Sequence, residues 1–199
     1  MDRRNFLSLG LAPLVLAGGA HAAQDADKPM SRAARAGIFP NVPLITHTGE
    51  KVRFYDDLIR DRTVLFNFML VECTDGLCPT ATANLRKVQD LLGERMGKDI
   101  FFYSITLQPK KDTPKILKEY ADNFDIKSGW SFLTGKPEDI EKLRRAQGFV
   151  DWDPKRDKDL SNHVGMARYG NDRLERWAGV SLRSTAENIA SNFKWITQT

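Results

Sequence analysis

Residues 63–92 constrain this chain more than any other stretch. Thr63-Val64-Leu65-Phe66-Asn67-Phe68-Met69-Leu70-Val71 is an almost unbroken apolar run of strand length, without the alternation of a half-exposed strand, so it reads as a strand buried on both faces. Glu72-Cys73-Thr74-Asp75-Gly76-Leu77-Cys78-Pro79 comes next. Apolar Leu85, Val88, Leu91, Leu92 and Met96 then recur at helical spacing as far as Gly97, which is expected to end the helix. The only two cysteines therefore stand where a buried strand hands over to a helix. Proline is favoured at the first helical position, so Pro79 places Cys78 at or beside the N-cap. Unsatisfied backbone N–H groups and the positive end of the helix dipole stabilise an anion there, which favours thiolate for metal binding or disulfide chemistry.

The middle of the chain alternates strand and helix. Ile100-Phe101-Phe102-Tyr103-Ser104-Ile105-Thr106 is a second buried strand. Asp112-Thr113-Pro114 starts a helix, with a capping residue before proline, that runs through Ile116, Leu117, Tyr120 and Phe124. Trp130-Ser131-Phe132-Leu133-Thr134 is a short strand, and Gly135-Lys136-Pro137-Glu138 leads into a helix ending near Gly148. Such alternation predicts an α/β domain, a central mixed sheet flanked by helices. Upstream, two short runs around His47-Thr48-Gly49-Glu50 form an N-terminal β-hairpin, with His47 exposed at its turn. Residues 151–159, charge-dense and centred on Pro154, read as a surface loop, either a plain connection or a partner contact anchored by Trp152. A second antiparallel hairpin turns at Gly170-Asn171-Asp172, and a helix over residues 185–196 closes the domain. Met166, three residues past His163, would point to the opposite face of a strand and so reads as core, like Met69. Glu72 and Asp75 read as surface charges beside the thiols.

The first residues look like an address. Arg3-Arg4-Asn5-Phe6-Leu7, an apolar stretch and Ala20-His21-Ala22 form a twin-arginine-type (Tat) signal peptide over residues 1–22, which implies a periplasmic protein. The apolar stretch falls short of the roughly 18 to 20 residues needed to span a bilayer, so membrane anchorage would require an uncleaved leader. Cysteine is absent from the leader, which argues against lipid attachment. Residues 23–37 read as a flexible tether and residues 38–199 as one domain. The balance of 30 Lys and Arg against 26 Asp and Glu, a net charge of +4, is too mild and too scattered to suggest nucleic acid. In an oxidising compartment two cysteines default to a disulfide, but closing so short a loop constrains the unfolded chain little.

Four features point further: Cys78-Pro79 after an apolar strand; Pro109-Lys110-Lys111-Asp112-Thr113-Pro114 with Leu117 and Tyr120; Gly129-Trp130-Ser131-Phe132-Leu133-Thr134-Gly135; and His163. With these the chain, from Phe66 to about Trp177, resembles the Sco/SenC family of exported, copper-binding proteins of thioredoxin-like fold. The resemblance implies that Cys73, Cys78 and His163 hold copper as Cu(I) or Cu(II). It further implies a metallochaperone rather than an enzyme, with a copper-accepting partner such as an oxidase subunit or another carrier, and a thiol reductant protein to keep the pair reduced. Two thiolates and an imidazole suit Cu(I) and accommodate Cu(II). Two departures stand out: four residues separate the cysteines where the family has three, with Gly76 able to supply backbone freedom, and Gln108 stands where the family tends to have Asp. A competing reading is a thiol-disulfide oxidoreductase using Cys73 and Cys78 as its redox pair; the wide spacing and Asn162-His163-Val164, without proline, weigh against it. Structural zinc wants four ligands where the set offers three.

Overall fold

The computed structural model describes residue 35 and residues 37–73 and 76–197. The leader, all of the expected tether but Arg35 and Gly37, and Thr74 and Asp75 lie outside the described residues.

Strand β3 (Thr63–Met69) is buried at every residue, as its apolar run demands. It is enclosed by β4 (Ile100–Thr106) on one side, parallel with Thr63 opposite Ile100 and Met69 opposite Thr106. On the other lies β6 (Met166–Asn171), antiparallel with Asn67 opposite Ala167. Strand β5 (Trp130–Gly135) runs parallel to β4. Parallel neighbours need crossovers, and α1 (Leu77–Leu92) supplies the first, α2 (Pro114–Asn123) the second. Strands β1 (Pro43–Thr46) and β2 (Lys51–Arg53) form the expected hairpin, and β1 joins β5 antiparallel. With β7 (Arg176–Ser181) paired to β6, the mixed sheet runs β2-β1-β5-β4-β3-β6-β7. Helix α3 (Pro137–Ala146) comes after β5, a single helical turn α4 (Pro154–Asp157) precedes β6, and α5 (Ala186–Thr197) packs against α1.

Phe54, Phe66, Phe102, Phe132 and Phe193 are fully buried around this sheet. One polar relay crosses three of its strands: Trp130 Nε1 donates to Ser104 Oγ at 3.0 Å, and Ser104 Oγ donates to Asn67 Oδ1 at 2.8 Å. Buried polar groups are tolerated when so paired.

Three expectations are corrected. Helix α1 ends at Gly93, whose φ of 53° caps it, rather than at Gly97. Gly97 instead receives the backbone of Gly129, where a Cβ would stand 2.3 Å from the Gly97 nitrogen. Leu91, read as part of the apolar face, is exposed. His47 is half-buried rather than exposed: its Nδ1 accepts the Phe132 N–H at 3.2 Å and its own backbone N–H donates to the Phe132 carbonyl at 2.8 Å. Burial, partly offset by the Phe132 contact, holds its imidazole below the ordinary value.

Candidate functional site

Parallel strands β3 and β4 end together, and the cysteine segment continues directly from β3. Helix α1 starts two residues earlier than Pro79 suggests: Gly76, with φ 70° and ψ 4°, is the N-cap, so Cys78 is the second helical residue and Pro79 the third. Proline fits there because the N–H groups of the first helical turn lack intrahelical acceptors in any case. Glycine has no side chain with which to cap those groups. Sulfur takes part of that role, since the Cys78 N–H donates to Cys73 Sγ at 3.3 Å. Cys78 Sγ in turn accepts the Leu70 N–H at 3.4 Å. Each sulfur thus accepts a backbone N–H, the Cys73 Sγ from Cys78 itself, with Cys78 buried and Cys73 half-exposed.

A carboxylate supports this segment from beneath. The cap of α2 is Thr113, as its place before proline suggests, and its Oγ1 accepts the Ile116 N–H at 3.4 Å. Its neighbour Asp112 turns inward instead. Asp112 is buried, and its Oδ2 accepts from Thr106 Oγ1 at the end of β4 and from the Val71 N–H at 3.3 Å. It ties the start of the cysteine segment to the neighbouring strand. Burial pushes its carboxyl up, opposed by those two hydrogen bonds. Tyr120 closes the same neighbourhood through a 3.0 Å hydrogen bond with Thr82 Oγ1. Its phenol is pushed up to about 12 by burial, with Cys78, Cys73 and Asp112 acting in the same sense. Glu72 is exposed, as expected, and reaches Lys111 at 3.4 Å.

Because β6 runs antiparallel to β3, the residues before β6 lie at the end of the sheet where the cysteines sit. His163 ends a 3-10 turn, Leu160–His163, just upstream of that strand. A Cβ on Gly165 would come within 3.6 Å of Leu77 Cδ2, so the two segments adjoin. Their roots also touch, with Phe68 of β3 and Phe149 packed edge to face at 4.8 Å. His163 is nonetheless buried in its own bonding arrangement, with Nε2 2.9 Å from the Asp157 carbonyl. Among the described residues no three His, Cys, Asp or Glu side chains are grouped as for a metal ion. The structure therefore brings Cys73 and Cys78 together and does not gather His163 into one cluster with them.

Two further expectations change here. Met166 is not core: it is 46% exposed and lines a cavity of about 360 Å³ together with His163, Asn162, Phe149 and Arg168. Residues three apart take opposite faces only within one strand, and β6 begins only at Met166. Residues 151–159 are not a featureless surface loop either. They contain α4 and bury Asp157 against Arg144, while Trp152 stands 91% exposed.

Known proteins share this fold. The SCO1/SenC family profile matches residues 33–168, and the chain belongs to that family. A SCO2-like protein of Rickettsia prowazekii is 36% identical over 100 residues, 50% of this chain and 46% of the relative. The chain spans about half the length of the curated relatives it matches. Among solved structures, copper-bound ScoI of Bradyrhizobium japonicum aligns with a TM-score of 0.60 at 23% identity, covering 77% of this chain and 96% of that one. BsSco, described as a member of the Sco family of cytochrome c oxidase assembly proteins with a disulfide switch, aligns with a TM-score of 0.61 at 20% identity, covering 78% and 90%. The fold is thioredoxin-like, as the sequence resemblance implies.

Proposed function

We propose that the chain is an exported, periplasmic copper-binding metallochaperone that passes copper to an acceptor such as a respiratory oxidase copper centre by exchange of cysteine and histidine ligands. The observation that carries this reading is the placement of two cysteines at one strand-to-helix junction, one buried and one half-exposed, each sulfur accepting a backbone N–H. Family membership supports it, as do the copper held by the Bradyrhizobium protein and the oxidase-assembly description of BsSco. Soft thiolates retain Cu(I), and an imidazole lets the same site accommodate Cu(II). In this reading Cys73 and Cys78 form the standing part of the site and His163 joins on loading. The half-exposed Cys73 is where an incoming ligand can displace the metal.

The test is transfer. Copper-loaded reduced protein mixed with the metal-free copper domain of an oxidase subunit is expected to lose its copper to that domain, with the metal counted in each partner after separation. Retention of copper beside efficient reduction of insulin disulfides would favour the thiol-disulfide oxidoreductase instead.

A further inference from the structure

We infer that Arg144, with Asp157, is a positioning residue for His163: its guanidinium holds Asp157 in place, so that the Asp157 carbonyl fixes which ring nitrogen of His163 carries the proton and which is offered to a metal. The inference rests on the reading of His163 as a copper ligand for its functional meaning, but its structural part stands on hydrogen-bond counting alone.

Arg144 is 2% exposed although it carries a permanent charge. A guanidinium has five N–H donors in a fixed fork and no acceptor. Here every one of them is engaged by oxygen. Nε and Nη2 grip the two carboxylate oxygens of Glu141, each at 2.8 Å. Nη1 and Nη2 grip Asp157 at 2.8 and 3.0 Å. The remaining Nη1 hydrogen goes to the Phe149 carbonyl at 2.6 Å. Nη1 also lies 3.2 Å from His163 Nε2, but no hydrogen is left to donate there. Nε2 therefore is the donor, and its partner is the Asp157 carbonyl at 2.9 Å, a group that can only accept. In the neutral ring this leaves the lone pair on Nδ1. Metal-binding histidines commonly donate their second ring N–H to a carbonyl or carboxylate in this way, which fixes the ring's tautomer and orientation.

The clamp also holds the segment that carries the histidine. Asp157 accepts the Asp151 N–H at 2.9 Å and Arg145 Nη2 at 2.9 Å, so both oxygens are saturated and residues 149–157 are pinned to α3. Arg144 keeps Asp157 well below the usual carboxylate range, and Asp157 and Glu141 in turn raise the guanidinium further.

The tautomer can be read directly in the metal-free, reduced protein by long-range proton–nitrogen NMR of its histidine rings, with His163→Ala assigning the signal. His163 is expected to carry its proton on Nε2; a proton on Nδ1 overturns the inference whatever any variant does. In Arg144→Gln, and equally in Arg144→Lys, which keeps the charge but not the fork, the ring is expected to populate both tautomers. Cu(II) affinity of the reduced Arg144→Gln protein is expected to fall about tenfold or more, within the range of about 10 to 100-fold for groups that orient a ligand. Adding Arg144→Gln to His163→Ala is expected to cost nothing further. A folded Arg144→Gln protein with wild-type or tighter copper binding overturns the positioning role. Copper binding indifferent to His163→Ala sinks the ligand reading instead, and the NMR result still judges the clamp. Should Arg144→Gln fail to fold, the wild-type spectrum decides.

Discussion

The cysteine junction and the histidine segment sit at the same end of the sheet but are held there by different means. Cys73 and Cys78 are placed by chain geometry within a few residues: a buried strand, a left-handed Gly76 and the unsatisfied N–H groups of a helix start. His163 is placed by side chains distant in sequence, Arg144 reaching Phe149 and Asp157, and the Asp157 carbonyl reaching the imidazole. Local placement gives a sulfur pair that forms as β3 and α1 form. Long-range placement gives the proposed third ligand a position that depends on a buried polar network, and such networks respond as a unit when one member is lost.

The largest effect is expected where the two regions share a support. Phe68, fully buried, lies beneath the cysteine segment and packs on Phe149 at the root of the histidine segment. Phe68→Ala is expected to lower stability by about 3 to 5 kcal/mol in denaturant titration. A loss below about 1 kcal/mol, a quarter of the usual cost, would mean that the joint does not support both regions. Gly76→Ala separates them. The space around Gly76 is open, so the cost comes from its φ of 70° alone, about 1 to 2 kcal/mol. Sulfur chemistry should change while the His163 tautomer does not; a change in the tautomer would break the distinction between local and distant placement.

Asp112 offers the smallest and most specific probe of the cysteine side. Its folded-state value is raised by burial, so its contribution to stability is fully present below the ordinary carboxylate value and is lost as pH rises through the raised one. Unfolding midpoints across the acid range should therefore show Asp112→Asn gaining on wild type as pH increases. A constant difference between the two proteins would count against a raised value.

The sequence is legible where a structural cause is local. The run Thr63–Met69 marks a strand buried on both faces, the strand–helix alternation marks the crossovers, and the hairpin before them is read from its turn. The start of α1 is misplaced by two residues because Pro79 is tolerated at more than one position of a first turn. Asp112 is hidden by standing next to a true cap, since an aspartate before Thr-Pro gives no sign that its carboxylate turns inward to Thr106 and Val71. Arg144 gives still less sign: it sits in a charged helical pattern beside Arg145, and only the fold brings Phe149 and Asp157 to its fork. Strand periodicity puts Met166 in the core, but the strand begins only at that residue, which faces the cavity beside His163 instead.

That Cys73, Cys78 and His163 together make one copper site is tested most directly by titrating the reduced full-length protein with copper while following sulfur-to-copper absorption and bound metal. The expected result is one copper per chain with that absorption, its loss in both Cys73→Ser and Cys78→Ser, and in His163→Ala a weaker site that keeps the sulfur band with a changed Cu(II) signature. Stoichiometric binding with an unchanged spectrum in any of the three variants would contradict it.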